Sequence, residues 1–168
     1  MICFLEKTKE SERHFLIAFF VGIVSGILSA FVKGGTESIL PPRTLDRIPP
    51  PIELLDKMGV NWHELFYTYS GQSVYWAGNL VHILLSIFAA VFYCVLAEIY
   101  PRIKMSQGIV FGVLFTIIAH GIALPCLGLS PSINHLPLDE IFSEIIGTCI
   151  WIWSIELIRS GLRNKLCK

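Results

Sequence analysis

Four long apolar segments with almost no charged residues constrain this chain more than any other feature. They are residues 15–32, 75–97, 108–129 and 141–158. The shortest has 18 residues, and a helix of that length measures about 27 Å, close to the roughly 30 Å hydrocarbon core of a bilayer. Together they make up about half of the chain, too much apolar sequence for the interior of so small a soluble domain. The sequence therefore predicts an all-α, polytopic membrane protein with a bundle of four transmembrane helices.

The composition supports this class of protein. Asp, Glu, Lys and Arg make up 15% of the 168 residues, against about 25% in a typical soluble domain. We predict a single membrane domain, residues 1–168, with an external segment at residues 34–74. The transmembrane helices are predicted at about residues 15–33, 75–100, 107–129 and 139–159.

The Lys and Arg residues are distributed unequally between the two ends of these predicted helices. Nine of the 13 fall at the end that holds both termini, whereas four, Lys33 among them, fall at the other end. Because cytoplasmic segments are enriched in Lys and Arg, we expect both termini in the cytoplasm and residues 34–74 outside. The first apolar segment is longer than that of a usual signal peptide, and acidic residues precede it. We therefore interpret it as an uncleaved signal-anchor helix.

The external segment combines a proline-rich stretch with an amphipathic one. Residues 41–51, PPRTLDRIPPP, contain five prolines, which favour an extended backbone, so we expect no helix there. Further along, Asn61 and Glu64 have the spacing of a capping box. Apolar side chains at helical spacing follow one face: Leu55, Met58, Trp62, Leu65, Phe66 and Tyr69. We predict two short amphipathic helices at the periplasmic membrane–water interface, either as a plain connector or as a lid over the bundle.

The cysteines and the recognised motifs point to no cofactor. The five cysteines have no C-x-x-C or metal-ligand spacing, so we interpret them as reduced, unpaired residues. The chain also has no glycine-rich phosphate loop, no nucleophile elbow and no basic patch for nucleic acid. We therefore expect no cofactor, no bound metal, no catalytic residues of a known type and no nucleic-acid partner, but contact with the lipid bilayer.

Polar and ionisable residues recur at the same depth in all four predicted helices. They are Lys33, Glu37, Asn79, His82, Ser86, His120 and Glu144. Counting residues from the outer end of each helix places the ionisable ones in the outer third of the bilayer. Because an ionisable residue inside a membrane is costly, it usually marks a functional or water-lined site. We predict that these side chains form one shared cluster, although snorkelling to the interface and single interhelical hydrogen bonds remain structural alternatives.

Four stretches of this chain resemble one known family, the YagU-type inner-membrane proteins of bacteria. They are SAFVKGGTESILPPR (29–43), WAGNLVHILLSIFAAVFYCVLAEIYPRIK (76–104), LPCLGLSP (124–131) and SEIIGTCIWIWSIELIRSGLRN (143–164). The similarity extends from about Arg13 to Leu166, although residues 34–74 look shorter than the usual segment of the family. The resemblance implies a multi-pass protein of the bacterial inner (plasma) membrane with four helices and a loose association with acid tolerance. It implies no catalytic residues.

Three classes of function remain open. In the first, the protein is proton-responsive, as a transporter, a channel or an acid-stress protein, and the two histidines of the cluster take up protons beside its carboxylates. In the second, it is a non-catalytic assembly or scaffold protein whose small-residue helix faces bind a partner or form a homo-oligomer. In the third, it is a metal-dependent membrane enzyme, because two histidines and a carboxylate match the ligands of a catalytic zinc site. We favour the first class of function. We expect a protein without catalytic activity rather than an enzyme.

Overall fold

A computed structural model of the chain describes residues 6–40 and 48–167. In chain order the elements are α1 (Phe15–Ile39), α2 (Pro50–Lys57), β1 (Phe66–Tyr69), β2 (Gln72–Tyr75), α3 (Trp76–Ile99), α4 (Ile109–Ile118), α5 (Leu124–Cys126) and α6 (Leu138–Leu166). Short 3₁₀ turns lie at Glu10–Glu12, Trp62–Glu64, Pro101–Gly108 and Ile133–His135, and a π-helical turn, Ala119–Ala123, joins α4 to α5.

Within these residues, four helical stretches are long and apolar enough to cross a membrane. We call them spans 1 to 4: α1, α3, the stretch Pro101–Cys126 that contains α4 and α5, and α6. Helix accounts for 78% of the structure, so the predicted all-α, polytopic fold is confirmed. The one sheet of the described part is the two-stranded hairpin of β1 and β2.

Span 1 lies at the centre of the bundle, because it packs along both α3 and α6, while α4 packs on α6. Its contact with α3 depends on glycine: a Cβ added at Gly22 would lie 2.6 Å from the Cα of Val91. Two backbones approach this closely only where one residue has no side chain. The opposite faces expose large apolar side chains such as Phe31 and Phe88, and these faces form the surface that lipid covers.

The predictions for the proline-rich stretch are partly wrong. Residues 41–47 lie outside the described part of the chain, but Pro50 and Pro51 form the first turn of α2 rather than extended backbone. The first turn of a helix tolerates proline, because its N–H groups have no intrahelical acceptor and the fixed φ of proline suits the helix. Three consecutive prolines therefore started a helix here instead of preventing one.

The predicted second amphipathic helix is also wrong, because residues 66–75 form a hairpin. Phe66 pairs with Tyr75 and Tyr69 with Gln72, and the turn between them is Ser70-Gly71. Both turn residues have positive φ, 50° and 77°, as a tight two-residue hairpin turn requires. The aromatic side chains that could share a helical face instead favour strands.

The predicted capping box starts no α-helix. The side-chain amide of Asn61 donates to Glu64 Oε1 at 2.7 Å, yet only the single 3₁₀ turn Trp62–Glu64 follows it. The contact between Asn61 and Glu64 forms, as the spacing of these residues implies. The residues that follow form the hairpin instead of an α-helix.

The spans are less regular than four uniform helices. Span 1 runs through Gly34 and Gly35 to Ile39, six residues past its predicted end, so Lys33 and Glu37 lie on regular helix. Span 3 begins with a 3₁₀ stretch that Met105, Ser106 and Gln107 interrupt, and its α-helix starts only at Ile109.

Candidate functional site

The carboxylate of Glu144 is the centre of the polar cluster. This residue of α6 is 7% exposed, and its Oε2 atom lies 3.4 Å from Lys33 Nζ of span 1. The same oxygen lies 3.4 Å from His120 Nε2 of span 3. One buried carboxylate therefore joins three of the four spans, with the amine of Lys33 on one side and the imidazole of His120 on the other.

Lys33 is shared between two carboxylates. Its ammonium lies 3.2 Å from Glu37 Oε1, one turn further along α1, and the lysine itself is only 8% exposed. Gly147 of α6 makes room for it, since a Cβ at that position would lie 3.1 Å from Lys33 Nζ. A larger residue there would push the lysine away from Glu144.

The π-helical turn sets the position of His120. Proline in a helix lacks an N–H and clashes with the carbonyl four residues earlier, which for Pro125 belongs to Gly121. The chain widens at this point, and the N–H of Leu124 donates to the carbonyl of Ala119, five residues back. Such single π turns recur at functional sites because they re-aim side chains. Here the turn places His120, the one histidine of span 3, in contact with Glu144.

Asn79 and His82 lie on the wall of a cavity at the end of the bundle away from the termini, which they share with Glu37 and which we call the outer cavity. This cavity has a volume of about 700 Å³ and lies between residues 48–75 and the ends of spans 1 and 2. Trp62 and Tyr75 supply aromatic surface to the same wall. Glu37 therefore has two roles, because it pairs with Lys33 and faces the cavity, and it connects the buried charges to this space.

Ser86 belongs to a different layer of the bundle. The indole Nε1 of Trp151 donates to Ser86 Oγ at 2.9 Å and lies 3.1 Å from Ser29 Oγ, with all three residues buried. These contacts tie spans 1, 2 and 4 together by hydrogen bonds between uncharged groups. The structure thus divides the predicted cluster into three parts: the paired charges, the cavity wall and this serine layer.

Sequence reasoning missed Glu140, which is 3% exposed and lies one helical turn before Glu144 on α6. It directly precedes the apolar segment 141–158 and was not included in the predicted cluster, although the helix predicted at about residues 139–159 contains it. Its spacing of four residues from Glu144 was the available signal, since residues at i and i+4 share a helical face. A carboxylate in the first turn is also favoured by the helix dipole.

A second set of buried charges lies at the opposite end of the bundle. Arg159 donates to both oxygens of Glu156, at 2.6 and 2.7 Å, and Tyr93 Oη donates to the same carboxylate at 3.0 Å. Arg163 donates two hydrogen bonds to Glu98, which also accepts a hydrogen bond from the backbone N–H of His14, the residue before span 1. Glu156 and Glu98 therefore each have their own arginine.

Comparison with known proteins places the chain in a family. Residues 27–157 match the family described as "Protein of unknown function (DUF1440)". The chain belongs to this family. It is also 38% identical to the "Inner membrane protein YagU" of Escherichia coli (strain K12), over an alignment that covers 96% of this chain and 91% of the relative. No solved structure matches it.

The relative and the four spans together identify a multi-pass inner-membrane protein in contact with the lipid bilayer. The resemblance to the YagU-type proteins is confirmed. The alignment spans 187 positions, more than the 168 residues of this chain, so the relative contains residues that have no counterpart here.

Proposed function

We propose that this protein responds to protons on the outer side of the inner membrane, through Lys33, Glu37, His120 and Glu144. The observation that carries the proposal is the buried carboxylate of Glu144 between Lys33 and His120. One lysine against two carboxylates leaves one net negative charge when the imidazole is neutral, and a proton on His120 cancels it. Because uncompensated charge is costly away from water, proton uptake stabilises the packed arrangement of spans 1, 3 and 4.

The route to the cluster is from the outer cavity. Glu37 faces this space of about 700 Å³ and contacts Lys33, which in turn contacts Glu144. At the other end, the arginine–carboxylate pairs hold the ends of spans 1, 2 and 4 together. The proposal therefore includes an orientation, with both termini cytoplasmic and the cavity periplasmic, which the excess of Lys and Arg at the terminal end supports.

The cellular role that fits such a site is tolerance of external acid, which the family resemblance also implies. His82 of the cavity wall is a second imidazole close to the external solution. Histidine changes its charge between about pH 5 and 8, the range through which an acidified periplasm passes. Protonation then alters the charge of the outer end of the bundle without any change at the arginine pairs.

The test is the pH dependence of stability in purified protein reconstituted in lipid nanodiscs. A protonated His120 forms an ion pair with Glu144 that a neutral imidazole does not. Its stabilising contribution is therefore present at low pH and lost as the pH rises. We expect the melting temperature of the wild-type protein to rise between pH 8 and pH 6, and His120→Gln to remove most of this rise.

The matched control is His135→Gln, since His135 is exposed and its ring Nδ1 is hydrogen-bonded to Ser132 Oγ at 2.8 Å, outside the cluster. This control should keep the wild-type pH profile. Cells that carry His120→Gln at normal protein levels should also survive external acid less well than wild type. A pH profile that is the same in wild type and His120→Gln would refute the proposal.

No comparable observation favours the other two functions. The small residues of span 1 were the reason to consider self-association. They are buried against α3 of the same chain, as Gly22 and Gly26 show. Among residues 6–40 and 48–167, no group of three or more His, Cys, Asp or Glu side chains is arranged to hold a metal ion. A proton-responsive protein is therefore the function that the geometry supports best.

A further inference from the structure

A cavity at the terminal end of the bundle is distinct from the proton-responsive cluster. It has a volume of about 390 Å³ and lies between the segment that precedes span 1, the end of span 2 and the start of span 3. Its cationic lining residues are Lys7, Lys9, Lys104 and Arg163. They converge from three separate parts of the chain, so sequence spacing alone does not reveal this cavity.

The three lysines of the cavity differ from Arg163 and Glu6 in how they are paired. Arg163 is occupied by Glu98, and Glu6 of the cavity wall is occupied by Arg102 at 2.7 Å. By contrast, no lysine of the cavity forms an ion pair with a carboxylate anywhere in the described part of the chain. Three positive charges therefore face one remaining carboxylate, that of Glu12.

The backbone that carries two of these lysines is anchored. Between Lys7 and Lys9, the N–H of Thr8 donates to the carbonyl of Ile99 at the end of span 2, at 3.0 Å. The carbonyl of Thr8 accepts from the guanidinium of Arg13 at 2.6 and 3.0 Å. An exposed lysine pair in an unstructured tail would need no such support. Here the contacts hold the backbone of both lysines at the cavity that Lys104 of span 3 also lines.

We infer that this cavity binds the phosphate group of an anionic lipid. Its walls include apolar atoms of Ala97 and Pro101, at the ends of two membrane spans, so it lies where lipid headgroups meet the bundle. Basic pockets between transmembrane helices on the cytoplasmic side are suited to anionic headgroups. A phosphate oxygen accepts hydrogen bonds from several ammonium groups at once and supplies the missing negative charge. The same chemistry could come from soluble phosphate, and the experiment must separate the two sources.

The experiment measures lipid binding to the full-length protein in detergent. Phosphatidylglycerol is titrated and its binding is followed by native mass spectrometry and by the melting temperature. Phosphatidylcholine serves as the zwitterionic lipid, and inorganic phosphate as the soluble anion. The variants are Lys104→Gln, the triple variant K7Q/K9Q/K104Q and the control Lys165→Gln, whose lysine is exposed at the end of α6 outside the cavity.

We expect phosphatidylglycerol to bind and phosphatidylcholine to leave the melting temperature unchanged. Lys104→Gln should weaken phosphatidylglycerol binding about fivefold, since a lysine near a membrane surface contributes about that factor. The triple variant should lose much more than this, and the control should match wild type. A shift with inorganic phosphate that the triple variant abolishes would support the phosphate site but assign it to a soluble ligand. Equal phosphatidylglycerol affinity in wild type and the triple variant, or an equal loss in the Lys165→Gln control, would overturn the inference.

Discussion

Replacing Lys33 with methionine is the most direct test of the buried charges. The substitution keeps most of the length of the side chain but leaves the carboxylate of Glu144, 7% exposed, without its lysine partner. Removing one partner of a fully buried ion pair typically costs about 3–5 kcal/mol. The interaction free energies of polar contacts between membrane helices are smaller, about 0.6 kcal/mol on average and up to about 1.7 kcal/mol.

The geometry decides between these two ranges. The distance of 3.4 Å from Lys33 Nζ to Glu144 is long for a charge-assisted hydrogen bond, which is usually about 2.7–2.9 Å. Glu37 is also partly exposed, so water can solvate its carboxylate when the lysine is removed. We therefore expect Lys33→Met to lower the free energy of unfolding by about 2–3 kcal/mol at pH 8, which is above the ordinary pKa of histidine.

Glu144→Gln should cost less, about 1–2 kcal/mol, because Lys33 keeps its contact with Glu37 at 3.2 Å. The double variant should cost less than the sum of the two single variants, by about 1–2 kcal/mol, because the second substitution removes a charge that the first left unpaired. Reversible unfolding in mixed micelles, followed by circular dichroism, measures all three values. Lys165→Met, at an exposed position of α6, is the control and should leave stability unchanged.

Two results would refute this reasoning. The first is additivity of the two substitutions within about 0.5 kcal/mol, which would mean that the side chains do not interact. The second is a greater cost for Glu144→Gln than for Lys33→Met, because Lys33 would then depend on Glu144 alone and the contact with Glu37 would contribute nothing.

Two further predictions concern packing and orientation. Gly22→Leu should lower the free energy of unfolding by about 1–3 kcal/mol or more, because even its Cβ would lie 2.6 Å from Val91 Cα. A Cβ at Gly34 meets nothing within 4 Å, so we expect Gly34→Leu to be tolerated, and thermal denaturation in nanodiscs compares the two variants. In variants that keep one cysteine each, a membrane-impermeant maleimide should label Cys126 in intact spheroplasts but Cys167 only after permeabilisation, and the reverse pattern would invert the proposed orientation.

The membrane fold was predictable because the length of an apolar segment is a physical requirement of the bilayer. No tertiary contact is needed to see that residues 15–32 or 108–129 suit a membrane interior. The contact between Lys33 and Glu144 is a different matter, because periodicity gives the face of each helix but not its rotation against the others. The predicted shared cluster included both residues of this contact, and the structure puts Ser86 of the same cluster in a separate layer.

The hairpin was not predicted because residues 62–75 are compatible with both the 3.6-residue period of a helix and the two-residue period of a strand. Aromatic residues at 62, 66 and 69 suit a helical face, yet the run from Phe66 to Tyr75 also reads as two short strands around Ser70-Gly71. The turn dipeptide was the stronger signal, since positive φ at two successive residues is compatible with a tight hairpin and not with a helix. The burial of Arg159 could not be predicted either, because a single sequence does not show whether a charged residue near a helix end faces solvent or a neighbouring span.

The two ends of the bundle differ in how their charges are balanced, and this difference bears on where a proton can act. At the terminal end, Glu98 and Glu156 are each held by an arginine, a side chain that keeps its charge at any physiological pH. A change in pH near neutrality therefore leaves these pairs as they are. At the other end, a single lysine contacts two carboxylates, and Glu144 also contacts the imidazole of His120. We therefore propose that mild acid changes the net charge of this cluster while the arginine pairs keep theirs.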